Sequence, residues 1–358
     1  MKKILISLMI IIFFIFSVIL TTLSTIGIET KKFNKLVSNR INQINTNINL
    51  KLDIIKFKID IKNLSLFLET INPTFSFKNI DVPVSNIKVY VDFKSIIKQE
   101  PQIKKVNLIL NQININQAKE LSFFFKPSNF NSFLNNKIKD GKLDTEIEVF
   151  LNNKNQLRDF IAKGTVNDLE IDIIDNLKIQ KTKFSFLADK KDVLIKNIFS
   201  ETDIFKIIDG DLKIKLEPEI QLESNFQTNL LFKDKFKNKI DFLKNFEFIK
   251  NISFFEAELN NSFTLKFDKT FKVKKYTFES SGELSSVIFD INPKSKNNLF
   301  TKKINRVNII NSKIKMDINS KKNEVAISGK YAIEKDNFLN FNLKAIFNNR
   351  TSKAQIKL

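Results

Sequence analysis

The chain has no cysteine, no histidine and no tryptophan, and only six glycines and six prolines in 358 residues. Each absence excludes some chemistry. Without Cys there is no disulfide framework, thiolate nucleophile or thiolate metal site, and the redox compartment stays open. Without His there is no imidazole base, no Ser-His-Asp triad and no histidine-held metal. The glycines lie far apart, so no phosphate-cradling glycine loop occurs. With three Tyr against 37 Phe, the aromatic side chains are almost all purely apolar. These gaps argue against an enzyme and imply no cofactor.

What is present is apolar and basic. Hydrophobic residues make up 42% of the chain, enough for a sizeable interior, and they run throughout, which excludes a disordered chain. The net charge of +20 fits an anionic partner, either nucleic acid or a membrane surface. A base-composition bias that enriches Lys, Asn, Ile and Phe is the favoured explanation, because the lysines are spread along the chain instead of clustered. Nucleic-acid binding needs basic clusters with aromatic platforms. Here the Phe residues share the apolar parity, opposite the lysines, so no nucleic-acid partner is expected.

The N-terminus opens with Lys2 and Lys3 and continues uncharged from Ile4 to Ile28. Such a run makes roughly 37 Å of helix, long enough to cross a hydrocarbon core of about 30 Å with some tilt. Ile4, Leu8, Ile11, Phe14, Val18 and Ile28 are its candidate anchor residues. A cleaved signal peptide would have a shorter apolar core and a small-x-small site, of which Thr25-Ile26-Gly27 is a poor version. The lysines ahead of the run place its start in the cytoplasm, with Lys31 and Lys32 weakening that asymmetry. The expectation is a single-pass anchor in the inner membrane, with the body in the periplasm.

After the anchor, Phe33, Leu36, Val37, Ile41 and Ile44 recur at helical spacing and predict a short amphipathic helix over 30–45. From Ile48 the period becomes two. Phe57, Ile59 and Ile61 alternate with Lys58 and Asp60, and similar strips recur almost to Leu358. Successive strand side chains face opposite sides, so each strip carries one apolar face. Asp140-Gly141 and Asp209-Gly210 read as hairpin turns. Strands of about ten to twelve residues including the turn are expected. Helices are expected only near 119–137 and 233–250. The domain plan is a cytoplasmic stub and anchor over 1–28, a short helix over 29–47, and a β-groove over 48–232 with a helical insertion. A connection over 233–252 and a continuation of the sheet over 253–358 complete it.

A sheet with one apolar face must bury it. It can pack as a β-sandwich, roll up around its own side chains, or curl incompletely and cover its inner face with lipid. The bare prior favours the sandwich. An outer-membrane barrel suits neither the scarcity of Tyr and Trp nor a retained N-terminal anchor. The long run of strips without a dividing linker, tied to a membrane, favours the third solution. The fold expected is therefore mainly β: a transmembrane helix, then a long curled antiparallel sheet forming a repeating groove, with a few short helices. The residues expected to line it are Phe57, Ile59, Ile61, Val89, Val91, Phe93, Val106, Leu108, Leu110, Ile147, Val149, Leu169, Ile171, Leu212, Ile214, Phe263 and Leu265. The same positions would serve as ordinary packing in a sandwich.

Three carboxylate pairs qualify by spacing for acid/base or metal chemistry: Glu146 with Glu148, Asp209 with Asp211, and Glu217 with Glu219. Glu146 and Glu148 alternate with Ile147 and Val149, which places them on the solvated face, and no catalytic or metal residue is expected among the six.

The opening of the chain resembles the AsmA family of bacterial envelope proteins, which includes TamB- and YhdP-type members. The likeness rests on the Lys-led anchor, the amphipathic stretch, and "LKLDIIKFKIDIKNLSLFLETINPTFSFKNI". It continues in "IKVYVDFKSIIKQEPQIKKVNLILNQININ", where Val89, Val91 and Asp92 precede Ser95, Ile96 and Ile97, then Ile103, Val106 and Leu108. "IAKGTVNDLEID" (Ile161–Asp172) is similar to strands of larger members. The match covers residues 1–115 and is one of style beyond. It implies a β-groove anchored in the inner membrane that handles or transfers phospholipid for outer-membrane maintenance, without bond chemistry. Acyl chains would lie in the trough at about 0.8 kcal/mol per buried CH₂. The alternative is an anchored β-sandwich scaffold that binds envelope proteins.

Overall fold

A computed structural model describes residues 2–31, 34–35, 38–39, 47–62, 65–92, 95, 102–123, 129–154, 156–174, 177–236, 251–268, 272–291, 305–333, 337–347 and 352–357. The chain is mainly β, and 17 strands belong to one antiparallel sheet that does not close. Of the expected helix over 30–45, Asn34, Lys35, Ser38 and Asn39 are described and helical, while Thr30 ends a strand; most of its remainder, most of that over 233–250 and Phe93 lie outside the described residues.

Helix α1 spans Lys2–Thr25. Its apolar side chains are exposed, Ile4 to 75% and Phe13 to 73%. Near its end the Thr21, Thr22 and Thr25 hydroxyls donate to the Ser17, Val18 and Thr21 carbonyls, so these three hydroxyls are satisfied within the helix. It stops earlier than the uncharged run suggests. Gly27 adopts φ +77°, its N–H and that of Ile26 both bond the Thr22 carbonyl, and Ile28 begins a strand.

The chain divides into two compact units. Unit 1 holds residues 1–131 and 143–164; unit 2 holds 132–142 and 165–358.

In unit 1, β1 (Ile28–Thr30), β3 (Ile55–Asp60), β4 (Ser65–Ile71), β7 (Val84–Val91) and β8 (Ile103–Asn114) pair in that order, all antiparallel. Register puts Ile28, Phe57, Leu68, Val89 and Val106 in one cross-strand row, and Ile55, Thr70, Ile87 and Leu108 in the next. A second layer lies on this face. Strands β2 (Ile48–Lys51), β5 (Thr74–Phe77) and β6 (Ile80–Val82) form a three-stranded sheet. Its Leu50, Phe75 and Val82 pack with Val84, Ile87, Val89, Val106, Leu108 and Leu110. The hairpin β5–β6 leaves the main sheet at Asn72-Pro73 and returns at Pro83, turning through Lys78 and Asn79 at positive φ. Prolines suit these exits because they donate nothing to a ladder. Helix α2 (Ile115–Ser122) follows β8 directly, capped by Asn114 and Gln117 in a reciprocal capping box. Helix α3 (Asn129–Asn136), whose residues from Ser132 onward belong to unit 2, completes the helical insertion expected near 119–137.

Strands β9 (Ile138–Leu151) and β10 (Leu157–Ile174) pair with each other and contribute to both units. In unit 2, ten strands follow as a meander. They are β11 (Leu177–Ala188), β12 (Asp192–Glu201), β13 (Phe205–Lys215), β14 (Gln221–Lys233), β15 (Ile252–Phe267), β16 (Val273–Asp290), β17 (Arg306–Asn319), β18 (Asn323–Ile333), β19 (Leu339–Phe347) and β20 (Ser352–Lys357).

Several strands are longer than expected, reaching 18 residues in β10 and β16, and two glycine pairs read as turns lie inside strands. Asp140-Gly141 falls in β9, and Asp209-Gly210 falls in β13 beside a register shift between Ile207 and Asp209. There the glycine marks a bulge, not a hairpin. Asp168, Lys181, Asn197 and Asn311 take positive φ in mid-strand, at 46° to 55°, and two of them coincide with further register shifts. Bulges bend a strand and raise its twist. Gly282 is required for a related reason: a Cβ there would overlap the Glu258 carbonyl on the neighbouring strand.

Candidate functional site

The apolar face of unit 2 is built row by row. Ile195, Leu212, Ser224, Phe263, Phe278 and Ile318 are register partners across six strands. Val193, Ile214, Leu222, Leu265 and Tyr276 form the next row outward. Most of these side chains are half-buried, and among the described residues of unit 2 there is no second sheet to cover them. Toward the other end of the same strands the face packs on itself. Ala257, Leu259, Leu284, Val287 and Ile314 are buried, with Phe232 and Phe236 joining them from the end of β14 and the turn that follows.

Small polar residues lie between the two parts. The Thr182 and Ser200 hydroxyls are 2.9 Å apart. Asn261 Nδ2 donates to the Thr228 hydroxyl at 2.9 Å, and the Ser224 hydroxyl donates to the Asp211 carbonyl at 2.7 Å. Ser280, register partner of Asn261, is buried with its hydroxyl unpaired.

The expected lining residues fall into three groups. Leu212 and Phe263 share a row of unit 2, Ile214 and Leu265 share the next, and Leu169 and Ile171 belong to the β10 part of that unit. In unit 1, Phe57, Val89 and Val106 share a row, but Val89, Val106, Leu108 and Leu110 pack under the three-stranded sheet and Val91 is buried. Ile147 and Val149 lie on β9, opposite in parity to Glu146 and Glu148. Ile61 lies past the end of β3, 50% exposed. Leu68, Leu222 and Phe278 occupy equivalent places and were not singled out by the sequence, although Leu68 ends a visible alternating run.

The opposite face of unit 1 is a ladder of charges. Glu69 is buried and held by Lys58 at 2.6 Å, Lys88 at 3.5 Å and Asn86 at 2.9 Å. Burial alone would raise its carboxyl, but the bonds from Lys58 and Asn86 and the lysine charges outweigh it and leave it below the usual range. Glu146 is also depressed, chiefly by its bond from Lys163 at 2.9 Å, with Asn107 donating at 2.6 Å. Glu148 pairs with Lys105 at 3.4 Å. Both glutamates are thus committed to the ladder. Not every Phe keeps the apolar parity: Phe67 sits on this polar face, stacked on Tyr90 at 5.1 Å, with Lys105 over the Tyr90 ring at 4.4 Å. Stacking and cation–π contact let a ring occupy a charged face.

Asp209 and Asp211 are exposed and line a cavity of about 420 Å³ with Asn225, Gln227, Asn260 and Glu279, mainly residues of the polar parity. Glu217 precedes a cis bond to Pro218, and Glu219 pairs with Lys274 at 3.2 Å. Among the described residues no cluster of three or more carboxylates is placed to hold a metal ion.

Fold and site define a class: an open antiparallel β-sheet with a half-covered apolar face, preceded by one helix long and apolar enough to span a membrane. No family model, curated protein or solved structure matches the chain.

Proposed function

We propose that this protein binds lipid acyl chains along the apolar face of its sheet and hands phospholipid onward within a bacterial envelope, without bond chemistry. The single observation that carries the reading is the half-buried face of unit 2, where Leu212, Ile214, Leu222, Phe263 and Leu265 share rows with no second sheet over them among the described residues. Apolar surface left open in water is costly, and a hydrocarbon tail covers it at about 0.8 kcal/mol per buried CH₂. Helix α1 supports membrane attachment, and the lysines that lead it favour an inner-membrane anchor with a periplasmic body. In this reading the protein resembles the AsmA family in mechanism as well as in its opening sequence.

The test is to purify the full chain in detergent, exchange it into lipid-free conditions, return it to vesicles of phosphatidylethanolamine and phosphatidylglycerol, and count bound phospholipid. Loading that falls at least five-fold in Leu222→Asp or Leu265→Asp, with the fold retained, supports the reading. A wild-type chain that binds no phospholipid overturns it.

A second reading, an anchored scaffold for envelope proteins, is favoured by one observation. The three-stranded sheet packs Leu50, Phe75 and Val82 onto the face of unit 1, as in a sandwich.

A further inference from the structure

Residue Ile28 belongs to two structures at once. It lies three residues beyond the last residue of α1, and it is the first member of the apolar row Ile28–Phe57–Leu68–Val89–Val106. The membrane-length helix is thus joined to the sheet without a linker. Gly27, at φ +77°, turns the chain, and β1 pairs at once with β3, fixed on the polar side by Glu29 and Lys56 at 2.7 Å. A Cβ on Gly27 would press into the Lys58 side chain and the Phe57 carbonyl, so strand and helix end are in close contact.

The side chains around this junction are apolar and open. Ile26 is 66% exposed, Ile28 57% and Ile61 50%. Three residues of extended chain cover about 10 Å. A helix of this length that spans a bilayer ends near the far headgroup boundary. Ile26 and Ile28 therefore sit where acyl chains meet headgroups, and the open side of the row begins inside that zone. The covered part, under Leu50, Phe75 and Val82, begins only at Val84, Ile87 and Val89.

We infer that the β1–β3–β4 edge of unit 1 is a portal for lipid: a phospholipid acyl chain leaves the leaflet around the end of α1 by sliding onto Ile28, Phe57 and Leu68, with its headgroup kept in water. The inference rests on the lipid-handling reading above. The physical reason is continuity. Each methylene that crossed water between leaflet and protein would expose apolar surface, and a row that starts in the leaflet removes that step. Alternation sends Glu29 and Lys56 to the polar face of the same strands, away from the chain and in reach of water.

The experiment uses the full chain reconstituted in vesicles of phosphatidylethanolamine and phosphatidylglycerol carrying a labelled acyl chain. A photo-crosslinking phenylalanine is placed at Leu68, at its opposite-face neighbour Phe67, or at Leu265 of unit 2. Capture at Leu68 at least five-fold above capture at Phe67 is expected, and Ile28→Asp should reduce the Leu68 signal at least five-fold. Ile28→Thr, which keeps a β-branched strand former, should reduce it at least two-fold, while Glu29→Gln should leave it unchanged. Unchanged capture at Leu68 in Ile28→Thr, or equal capture at Leu68 and Phe67, overturns the portal. Capture at Leu265 without capture at Leu68 overturns the portal alone, whereas no capture at either position overturns the lipid reading itself.

Discussion

In unit 1, Ile87 is 7% exposed beneath Leu50, Phe75 and Val82, whereas in unit 2 the register partners Leu222 and Leu265 stay half-buried with no described second sheet above them. Both units read the same in sequence, as alternating strips with lysine and glutamate between apolar residues. The difference arises from an insertion. Between β4 and β7 the chain leaves the sheet at Asn72-Pro73, forms a hairpin and returns at Pro83. Nothing comparable interrupts β11 to β14 of unit 2, where consecutive strands pair through short turns. An apolar face is therefore buried by protein where the chain folds back over it, and stays half-open along the Leu222–Leu265 row, where the chain keeps meandering.

The contrast is most sharply tested by placing a charge on each face. Ile87→Asp buries a carboxylate with no partner and is expected to cost about 4 kcal/mol or more, unfolding unit 1. Leu222→Asp should leave thermal unfolding close to wild type, since its carboxylate can reach water. Loss of the fold in both variants would mean that both faces are closed. Next in size is Gly282→Val, whose Cβ would overlap the Glu258 carbonyl; a loss of about 3 kcal/mol by denaturant titration is expected. A neutral result would remove the argument that this strand needs a glycine for close approach to its neighbour.

The charged ladder of unit 1 gives a smaller effect. Lys58→Met leaves buried Glu69 with Lys88 and Asn86 alone and should cost about 1–3 kcal/mol. The same ladder sets a pH dependence. Glu69 and Glu146 have folded values below their unfolded ones, so their contribution is fully present above the ordinary glutamate range near 4.3 and is lost as pH falls through the folded values. Melting followed from pH 7 to pH 3 should therefore fall less steeply below pH 4.5 in the double variant Glu69→Gln, Glu146→Gln; an unchanged slope would show that the ladder does not couple to folding. Smallest are the effects at two of the buried hydroxyls without partners, one chosen from each unit. Thr70 sits between Ile55 and Ile87 in unit 1, and Ser280 lies beside Asn261 in unit 2. Thr70→Val and Ser280→Ala should each stabilise by about 1 kcal/mol, read as a raised melting temperature. Destabilisation by Ser280→Ala alone would point to a bond made by that hydroxyl in unit 2.

Much of this was legible in the sequence because alternation is local. Phe57 and Ile59 had to share a face opposite Lys58, and Glu146 and Glu148 had to leave the apolar side, whatever they paired with. The glycines were harder. Asp209-Gly210 has the composition of a turn, but a bulge asks for the same residue types, and only the partner strand distinguishes them. Phe67 departs from its expected parity because its ring found Tyr90, which lies 23 positions away in sequence. Ile28 was read with the anchor because a strand of three residues is too short to show a period.

By itself the sequence determined the two-faced strips, the apolar N-terminal helix and the exclusion of thiol and imidazole chemistry, because these follow from residue identity and from spacing within a few positions. Only the tertiary structure decided which apolar strip is roofed, which glycine bends a strand and that the first row begins at Ile28. Those outcomes depend on register between strands distant in the chain, and alternation fixes the side a residue faces without fixing what it meets there.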